Sequence, residues 1–256
     1  MSKHLNYLTG RISITDQRID DAIGRGLLLP GLAIIAGPIG GGKSILSQFF
    51  TVGALQGPKT IEGMTSESAF LEGITVDYIS TTASTVDLLR QFESISIHHK
   101  NIPQFYVRRQ LRLISRFNSF MDDFEDSALH ERYYYLIKKI YNHIYHTDAK
   151  VVVLDSISDI LDFHTQKDLI NDYFRGLRQL VNTRKKLIIA TLTAEGDNLD
   201  EIKNLANALF LTQRSSRVIG RDSMELETIK NDNASRRLLW AVDPSLGLKE
   251  IIWGTA

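Results

Sequence analysis

Short apolar runs alternate along the chain with longer stretches in which apolar residues recur at helical spacing. Apolar runs without polar alternation are typical of parallel strands that are covered on both faces. The pattern therefore predicts an α/β fold, with a mainly parallel central sheet flanked by helices. The predicted strands cover residues 32–36, 74–79, 151–154, 187–191 and 208–211. Thr75 and Asp77 interrupt the apolar pattern of the second strand.

Two further patterns complete the predicted architecture. Helical spacing is clearest in residues 131–146, 172–184 and 200–207. Beyond residue 213, two β-rich runs, 224–230 and 237–242, flank a polar segment that favours a turn. These runs predict a C-terminal hairpin that extends the sheet with antiparallel strands. For a chain of 256 residues we expect one domain, covering 1–256.

The most specific motif is a glycine-rich loop between the first predicted strand and a segment that can open a helix. It fits the pattern of glycine, four residues, glycine, lysine and serine, which binds nucleotide phosphates. We assign phosphate binding to the loop and to the residue after it: Gly37, Pro38, Ile39, Gly40, Gly41, Gly42, Lys43, Ser44 and Ile45.

Each residue type in this loop has a chemical role. The glycines Gly40, Gly41 and Gly42 carry no β-carbons, so the backbone can curve around a phosphate with its N–H groups pointing inward. The positive end of the following helix adds to this anion site. Lys43 supplies an ammonium that can reach the β- and γ-phosphates, and the Ser44 hydroxyl can coordinate magnesium. The loop therefore predicts ATP and Mg²⁺ as ligands.

A carboxylate at the end of another strand predicts the metal side of the site. The apolar residues 151–154 lead directly into Asp155, an arrangement typical of the aspartate that holds magnesium in P-loop ATPases. We expect Asp155 to act through water. The same side chain could instead cap a helix that begins between Ser156 and Asp159. The presence of Lys43 elsewhere in the chain favours the metal role.

Composition narrows the possible functions. Thirty basic residues balance thirty acidic ones, so no overall charge holds the chain on nucleic acid or on an anionic membrane. Cysteine is absent, which excludes disulfides, thiolate metal sites and cysteine nucleophiles. No segment approaches the roughly 20 apolar residues that a membrane-spanning helix needs, so we expect a cytoplasmic protein.

The loop, the sequence Leu154-Asp155-Ser156 and the predicted hairpin together resemble the RecA-like ATPases, and within them the KaiC-like group. Residues 11–15 and 19–24 look like the N-terminal strand and helix of that group. Residues 240–252 are similar to the C-terminal strand and turn of the ATP-binding proteins of the archaellum, the archaeal flagellum motor. The resemblance covers most of the chain.

This resemblance implies a cytoplasmic, ATP-binding regulatory or assembly subunit, peripheral to a membrane-bound motility motor. It implies a homo-oligomer, expected to be a hexameric ring, that contacts the archaellum motor ATPase and membrane platform proteins. We expect neither nucleic-acid binding nor direct membrane insertion. The alternative is a KaiC-like or RecA-paralogue ATPase in signalling or DNA repair.

Two departures from the KaiC-like pattern bear on hydrolysis. In these enzymes the strand after the loop helix commonly ends in a glutamate that orients water, whereas residues 80–84 carry no carboxylate. The hairpin commonly carries a lysine-x-arginine pair, whereas Lys230 is followed by Asn231 and Asp232. We therefore name no catalytic residue and expect slow or no hydrolysis, with ATP acting as a switch or as an assembly ligand.

Three polar residues are candidates for sensing the γ-phosphate: Thr82, Thr191 and Lys230. Thr82 follows the strand after the loop helix, and Thr191 and Thr193 end the strand that comes after Asp155. Hydroxyls at the edge of a sheet without any functional role, and an ordinary solvated lysine on a strand, are the alternatives.

Residues 98–118 combine arginines with aromatic residues, as single-stranded nucleic-acid surfaces do. The basic residues are Lys100, Arg108, Arg109, Arg112 and Arg116. The alternative, favoured by the zero net charge, is an edge strand and a helix whose arginines pair with the acidic residues of 122–126. His143 and His146 are spaced to share a metal, but a third ligand is not evident, so we interpret them as surface histidines.

Overall fold

The structure is a computed structural model that describes residues 10–12, 26–55, 74–95, 106–115, 129–159, 167–193, 199–215, 223–231, 237–243 and 247–253. The strands are β1 (Gly10–Ile12), β2 (Leu27–Leu29), β3 (Gly31–Ala36), β4 (Val76–Ser80), β5 (Leu111–Ile114), β6 (Val151–Asp155), β7 (Leu187–Leu192), β8 (Ala208–Ser215), β9 (Ser223–Asn231), β10 (Arg237–Asp243) and β11 (Gly247–Trp253). The helices are α1 (Lys43–Leu55), α2 (Thr85–Ile95), α3 (Leu129–His146), α4 (Lys167–Arg184) and α5 (Leu199–Leu205).

Nine of the described strands form one sheet, in the order β11-β10-β9-β8-β3-β7-β6-β4-β5. The strands from β8 to β5 in this order run parallel to their neighbours. Strands β9, β10 and β11 continue the sheet in antiparallel pairs. The predicted fold class, a mainly parallel RecA-like sheet with a C-terminal antiparallel extension, is confirmed. Strands β1 and β2 pair with each other in a separate two-stranded sheet.

The predicted helices correspond to α3, α4 and α5, but the apolar pattern did not predict α2. Polar contacts mark the start of α2. The Ser84 hydroxyl accepts a hydrogen bond from the backbone N–H of Asp87 at 3.2 Å and donates one to its carboxylate at 2.5 Å. Such a cap favours a helix without contributing any apolar periodicity.

Helices cover both faces of the sheet, and the alternation of side chains along β3 shows the division. Ala33 and Ile35 pack in a core with residues of α1 and α2, whereas Leu32 and Ile34 pack in a second core with residues of α3, α4 and α5. Parallel strands end at a common edge, so the segments that follow β3, β4 and β6 lie close together. The functional site is built at this edge.

Asp77, the charged residue in β4, is fully buried. Its carboxylate accepts hydrogen bonds from Arg112 Nε at 2.5 Å, His143 Nε2 at 2.7 Å and Thr147 Oγ1 at 2.6 Å. Burial alone would raise the pKa of Asp77, but the hydrogen bonds from His143, Thr147 and Arg112 outweigh it and hold the pKa below its ordinary value of 3.8. The interrupted apolar pattern thus marks a fully partnered buried charge.

The same cluster changes the interpretation of two residues. Arg112 lies in the edge strand β5, and its guanidinium pairs with Asp77 and also with Asp148 at 2.7 Å. The expected edge strand is present, but Arg112 pairs with Asp77 and Asp148, and the expected partners in 122–126 lie outside the described residues. His143, interpreted from sequence as a surface residue, is instead bonded to the buried Asp77. Among the described residues, no group of three or more histidine, aspartate or glutamate side chains could hold a metal ion.

Several predicted features lie outside the described residues, namely 19–24, Lys100, Arg116 and 122–126. Of the remaining basic residues in 98–118, Arg108 and Arg109 are exposed. Within the described part of the chain, none of the helices has the length and apolar character that crossing a membrane requires.

We expect Asp77→Asn to lower the free energy of unfolding by about 2 kcal/mol at pH 7. Removing one partner of a buried ion pair costs about 3–5 kcal/mol, and the partial exposure of Arg112 reduces the effect. Because the folded-state pKa of Asp77 is lowered, its stabilising contribution is complete above pH 3.8 and is lost as the pH falls through that folded-state pKa. Urea unfolding of both proteins between pH 7 and pH 3 should therefore show the difference shrinking below about pH 4.

The matched control is Asp148→Asn, which removes the second carboxylate that contacts Arg112. The Asp148 side chain is 81% exposed, so we expect a loss of less than about 0.5 kcal/mol. Equal losses for the two variants would show that the buried cluster does not stabilise the fold as described.

Candidate phosphate-binding site

The glycine-rich loop joins β3 to α1 at the carboxyl edge of the parallel strands. Gly40 and Gly42 have φ angles of 77° and 86°, in the left-handed region that favours glycine. A β-carbon on Gly37 would lie 2.0 Å from the carbonyl oxygen of Thr212 in β8, and one on Gly41 would lie 3.0 Å from the same oxygen. Glycine is therefore required both for the curvature of the loop and for its close contact with β8.

Lys43 is the first residue of α1, and its side chain turns back onto the loop. The residue is 8% exposed, and its Nζ donates hydrogen bonds to the carbonyl oxygens of Gly37 at 2.9 Å and Pro38 at 2.7 Å. These bonds place the ammonium beside the N-terminus of α1. The charge of Lys43 and the positive end of the helix are thus brought together, an arrangement that suits an anion.

Ser44 and Asp155, the two predicted magnesium ligands, meet at this edge of the sheet. The Ser44 hydroxyl donates to Asp155 Oδ1 at 3.0 Å. Asp155 ends β6 and is 8% exposed. The short 3-10 helix that follows, Ile157–Asp159, receives a cap from Ser156, whose hydroxyl accepts the N–H of Ser158 at 3.1 Å. The Asp155 carboxylate therefore faces the loop and does not cap that helix.

Two further hydroxyls hold the Asp155 carboxylate. Thr191 Oγ1 donates to Oδ1 at 2.6 Å, and the Tyr78 phenol donates to Oδ2 at 2.6 Å. Both residues are fully buried. Burial, followed by the neighbouring Asp155 charge, raises the pKa of Tyr78 well above 10, so the phenol keeps its proton and remains a donor.

A cleft of about 500 Å³ opens beside these residues. It extends from the tip of the loop to the end of β4 and to α2. Gln48 and Gln91 cross-link α1 and α2 within its wall, through a hydrogen bond of 2.8 Å between Gln48 Nε2 and Gln91 Oε1. The cleft is lined by Ile39, Gly40, Lys43, Ser44, Ile45, Gln48, Ser80, Thr82, Ala83, Leu88, Gln91, Asp155, Ser156 and Thr193.

The candidates for γ-phosphate sensing occupy different positions. Thr82 is exposed and lines the cleft, as does Thr193. Thr191 is buried, with its hydroxyl proton directed to Asp155. Lys230 lies in β9 opposite Leu209, and its side chain is outside the described part of the structure. Sensing by Thr82, Thr191 and Lys230 stays a prediction.

Sequence reasoning did not identify Tyr78 as a residue of this site. Its position in the sheet explains its role in the site. Tyr78 stands in a buried strand where a hydroxyl needs a hydrogen-bond partner, and β4 lies next to the strand that ends in Asp155. The signal available in the sequence was a hydroxyl within a buried strand, which needs a partner, although the sequence did not show that the partner is Asp155.

These residues fit a magnesium–nucleotide complex. The glycines let the loop curve and pack against β8 without β-carbons that would clash with Thr212, and Lys43 brings a positive charge to the same loop. Magnesium prefers oxygen ligands, which the Ser44 hydroxyl and the Asp155 carboxylate offer at a separation of 3.0 Å. The residues suited to phosphates, in the loop, are therefore adjacent to Ser44 and Asp155, which are suited to magnesium.

Comparisons with known proteins agree with this architecture. The chain is 27% identical over 252 residues to the archaeal flagellar ATP-binding protein FlaH of Sulfolobus acidocaldarius, covering 94% of this chain and 96% of that protein. It is 23% identical over 248 residues to FlaH of Methanocaldococcus jannaschii, covering 93% and 94% of the two chains. The crystal structure of the flagellar accessory protein FlaH from the latter organism shares the fold, with a TM-score of 0.70, 21% identity and coverage of 96% of this chain and 100% of that chain.

A family-level match covers the candidate site. The sequence profile described as ATPase: KaiC matches residues 14–210, well over half of the 256-residue chain. This span contains the glycine-rich loop, Asp155 and the parallel strands that bring them together. The chain belongs to the KaiC family of ATPases.

Proposed function

We propose that this chain binds ATP with magnesium through the loop formed by residues 37–45 and through Asp155. One observation carries the proposal, namely that Lys43, Ser44 and Asp155 converge at the end of the parallel strands. They meet beside a loop whose conformation requires glycine. Backbone N–H groups, the end of α1 and the Lys43 ammonium then bind the phosphates.

On the metal side, the Ser44 oxygen is the proposed direct ligand and Asp155 acts through water. A serine oxygen retains lone pairs when its proton is donated, so Ser44 can coordinate a cation while it remains bonded to Asp155 Oδ1. Magnesium, when bound, neutralises charge on the triphosphate. Ser44 and Asp155 hold the magnesium ion in position.

We further propose that the chain is a cytoplasmic ATP-binding subunit of an archaellum-type motor, folded as one domain. The names of the similar proteins and the coverage of nearly the whole chain support this role. The proposed subunit assembles with copies of itself, as a hexameric ring, when ATP is bound. It then contacts the motor ATPase and the membrane platform proteins.

The residues that line the cleft support the proposal that ATP hydrolysis is slow. Ser80, Thr82 and Ala83 form its wall at the end of β4, and none of them carries a carboxylate. Hydroxyls cannot accept a proton from water at neutral pH, and a missing base typically lowers the rate about 10²- to 10⁴-fold. A missing arginine that would act across a subunit boundary lowers it by about 10³- to 10⁵-fold more. ATP then acts mainly by being bound.

The test measures ATP turnover and the mass in solution of the same purified protein, with ATP, with ADP and without nucleotide. We expect the mass of a hexamer with ATP and magnesium, smaller species in the other two conditions, and little turnover. Turnover at or above about 1 s⁻¹, in the range of ordinary enzymes, would contradict the proposal of a switch. A mass that is independent of nucleotide would contradict ATP-driven assembly.

A further inference from the structure

Tyr78 belongs to the site, but the proposed roles of the phosphate loop and of Asp155 do not explain why a tyrosine stands there. Its ring packs edge-to-face against Phe92 of α2, with ring centroids 5.3 Å apart. Its hydroxyl is completely buried and reaches Asp155 Oδ2 at 2.6 Å. A phenylalanine would fill almost the same space, so the hydroxyl itself needs an explanation.

The three hydroxyl contacts divide the two oxygens of Asp155 between different tasks. Oδ1 accepts from Ser44 at 3.0 Å and from Thr191 at 2.6 Å, and it is the oxygen on the side of the phosphate loop. Oδ2 accepts from Tyr78 of β4, the strand that flanks β6 on the side away from β7, which carries Thr191. The Tyr78 bond therefore fixes the rotation of the carboxylate and keeps Oδ1 directed to Ser44.

A neighbouring serine supports the phenol from α1. Ser47 Oγ lies 3.0 Å from the Tyr78 hydroxyl and 2.8 Å from the carbonyl oxygen of Ser44. Because the phenol proton is used on Asp155, the single Ser47 proton is shared between the Ser44 carbonyl oxygen and the phenol oxygen, both of which can accept it. The first turns of α1 and the centre of β4 are thus connected to the same carboxylate.

We infer that Tyr78 is a positioning residue of the magnesium site, which acts by holding Asp155 in the orientation that supports Ser44 and the metal. The inference rests on the proposed binding of Mg-ATP and deepens it. Groups that hydrogen-bond to metal-site carboxylates typically change metal affinity by about 10- to 100-fold when they are removed. A tyrosine that only fills space in the core has no such effect.

The test compares ATP affinity with magnesium and with EDTA, by titration with a fluorescent ATP analogue. The ratio of the two dissociation constants gives the gain in affinity that the metal provides. We expect Tyr78→Phe to lower this gain about 10-fold, while affinity in EDTA changes by less than about twofold. Tyr78→Met is the second variant, because methionine also fills an apolar space without a hydroxyl.

Two controls separate positioning from packing. Tyr141→Phe removes a hydroxyl that donates to the carbonyl oxygen of Tyr173 between α3 and α4, away from the site, and should leave the metal gain unchanged. In an Asp155→Ala background, Tyr78→Phe should have no further effect, since the two residues act as one unit. Additive losses, or equal effects of Tyr78→Phe and Tyr141→Phe, would overturn the inference.

The same titration distinguishes failure of the proposed ATP binding from failure of the proposed role of Tyr78. A wild-type protein that does not bind the analogue contradicts the proposed function itself. A wild-type protein that binds it more tightly with magnesium, and whose metal gain is retained in Tyr78→Phe and Tyr78→Met, contradicts only the role of Tyr78.

Discussion

Replacing Lys43 with alanine should lower the affinity for ATP by about 100-fold and abolish ATP-dependent assembly. The Lys43 ammonium is the cation that the structure places within the loop, where it is bonded to the carbonyl oxygens of Gly37 and Pro38. Hydrogen bonds that involve a charged group contribute about 1.5–3 kcal/mol, and each 1.4 kcal/mol corresponds to a tenfold change in affinity. Isothermal titration calorimetry with ATP and magnesium measures the loss directly.

The matched control for this variant is Lys138→Ala. Lys138 is an exposed lysine of α3, a helix that covers the other face of the sheet. Its removal changes the net charge by the same amount, and we expect ATP affinity to change by less than about twofold because exposed charges are screened by salt. A similar affinity for wild type and for folded Lys43→Ala would contradict the phosphate-binding role of the loop.

A carboxylate introduced at Thr82 should raise the rate of ATP hydrolysis. Thr82 is exposed and lines the cleft just after β4, at the strand end where the resemblance to KaiC-like enzymes implies a glutamate. A positioned base contributes about 10²- to 10⁴-fold, and we expect Thr82→Glu to reach only the lower end because the arginine is also missing. Phosphate release at saturating ATP measures the change.

Two controls show whether the added group acts as a base. Thr82→Gln has a similar shape without basicity, and Val86→Glu adds the same charge on α2 at a residue that is 56% exposed. Both should hydrolyse ATP as slowly as the wild type. If Thr82→Glu is no faster than these variants, the absence of a carboxylate after β4 is not what limits turnover.

The sequence alone was sufficient to predict most of the parallel sheet, because local pattern and tertiary environment agree there. The runs that form β3, β6 and β7 are apolar apart from Asp155 and Thr191 near the strand ends, as strands between two helical layers should be. The phosphate loop was predictable for a related reason. Its lysine, serine and glycines have chemical roles that require those residue types at adjacent positions.

Contacts between distant segments were not predictable in the same way. The bonds from Tyr78 and Thr191 to Asp155 join three strands, and they depend on which strands are neighbours in the sheet. The partners of Asp77, including His143, come from separate elements in the same manner. The sequence shows that such polar atoms need partners, but only the strand order determines which partners they meet.

A crystal structure of the protein with magnesium and a hydrolysis-resistant ATP analogue tests the central claim most directly. We predict that the phosphates lie within hydrogen-bonding distance of the amides of residues 40–45 and of Lys43 Nζ. Magnesium should contact the Ser44 oxygen, with Asp155 close enough to bond to a metal-bound water. A triphosphate held elsewhere in the protein, or a loop whose amides point away from it, would contradict the account.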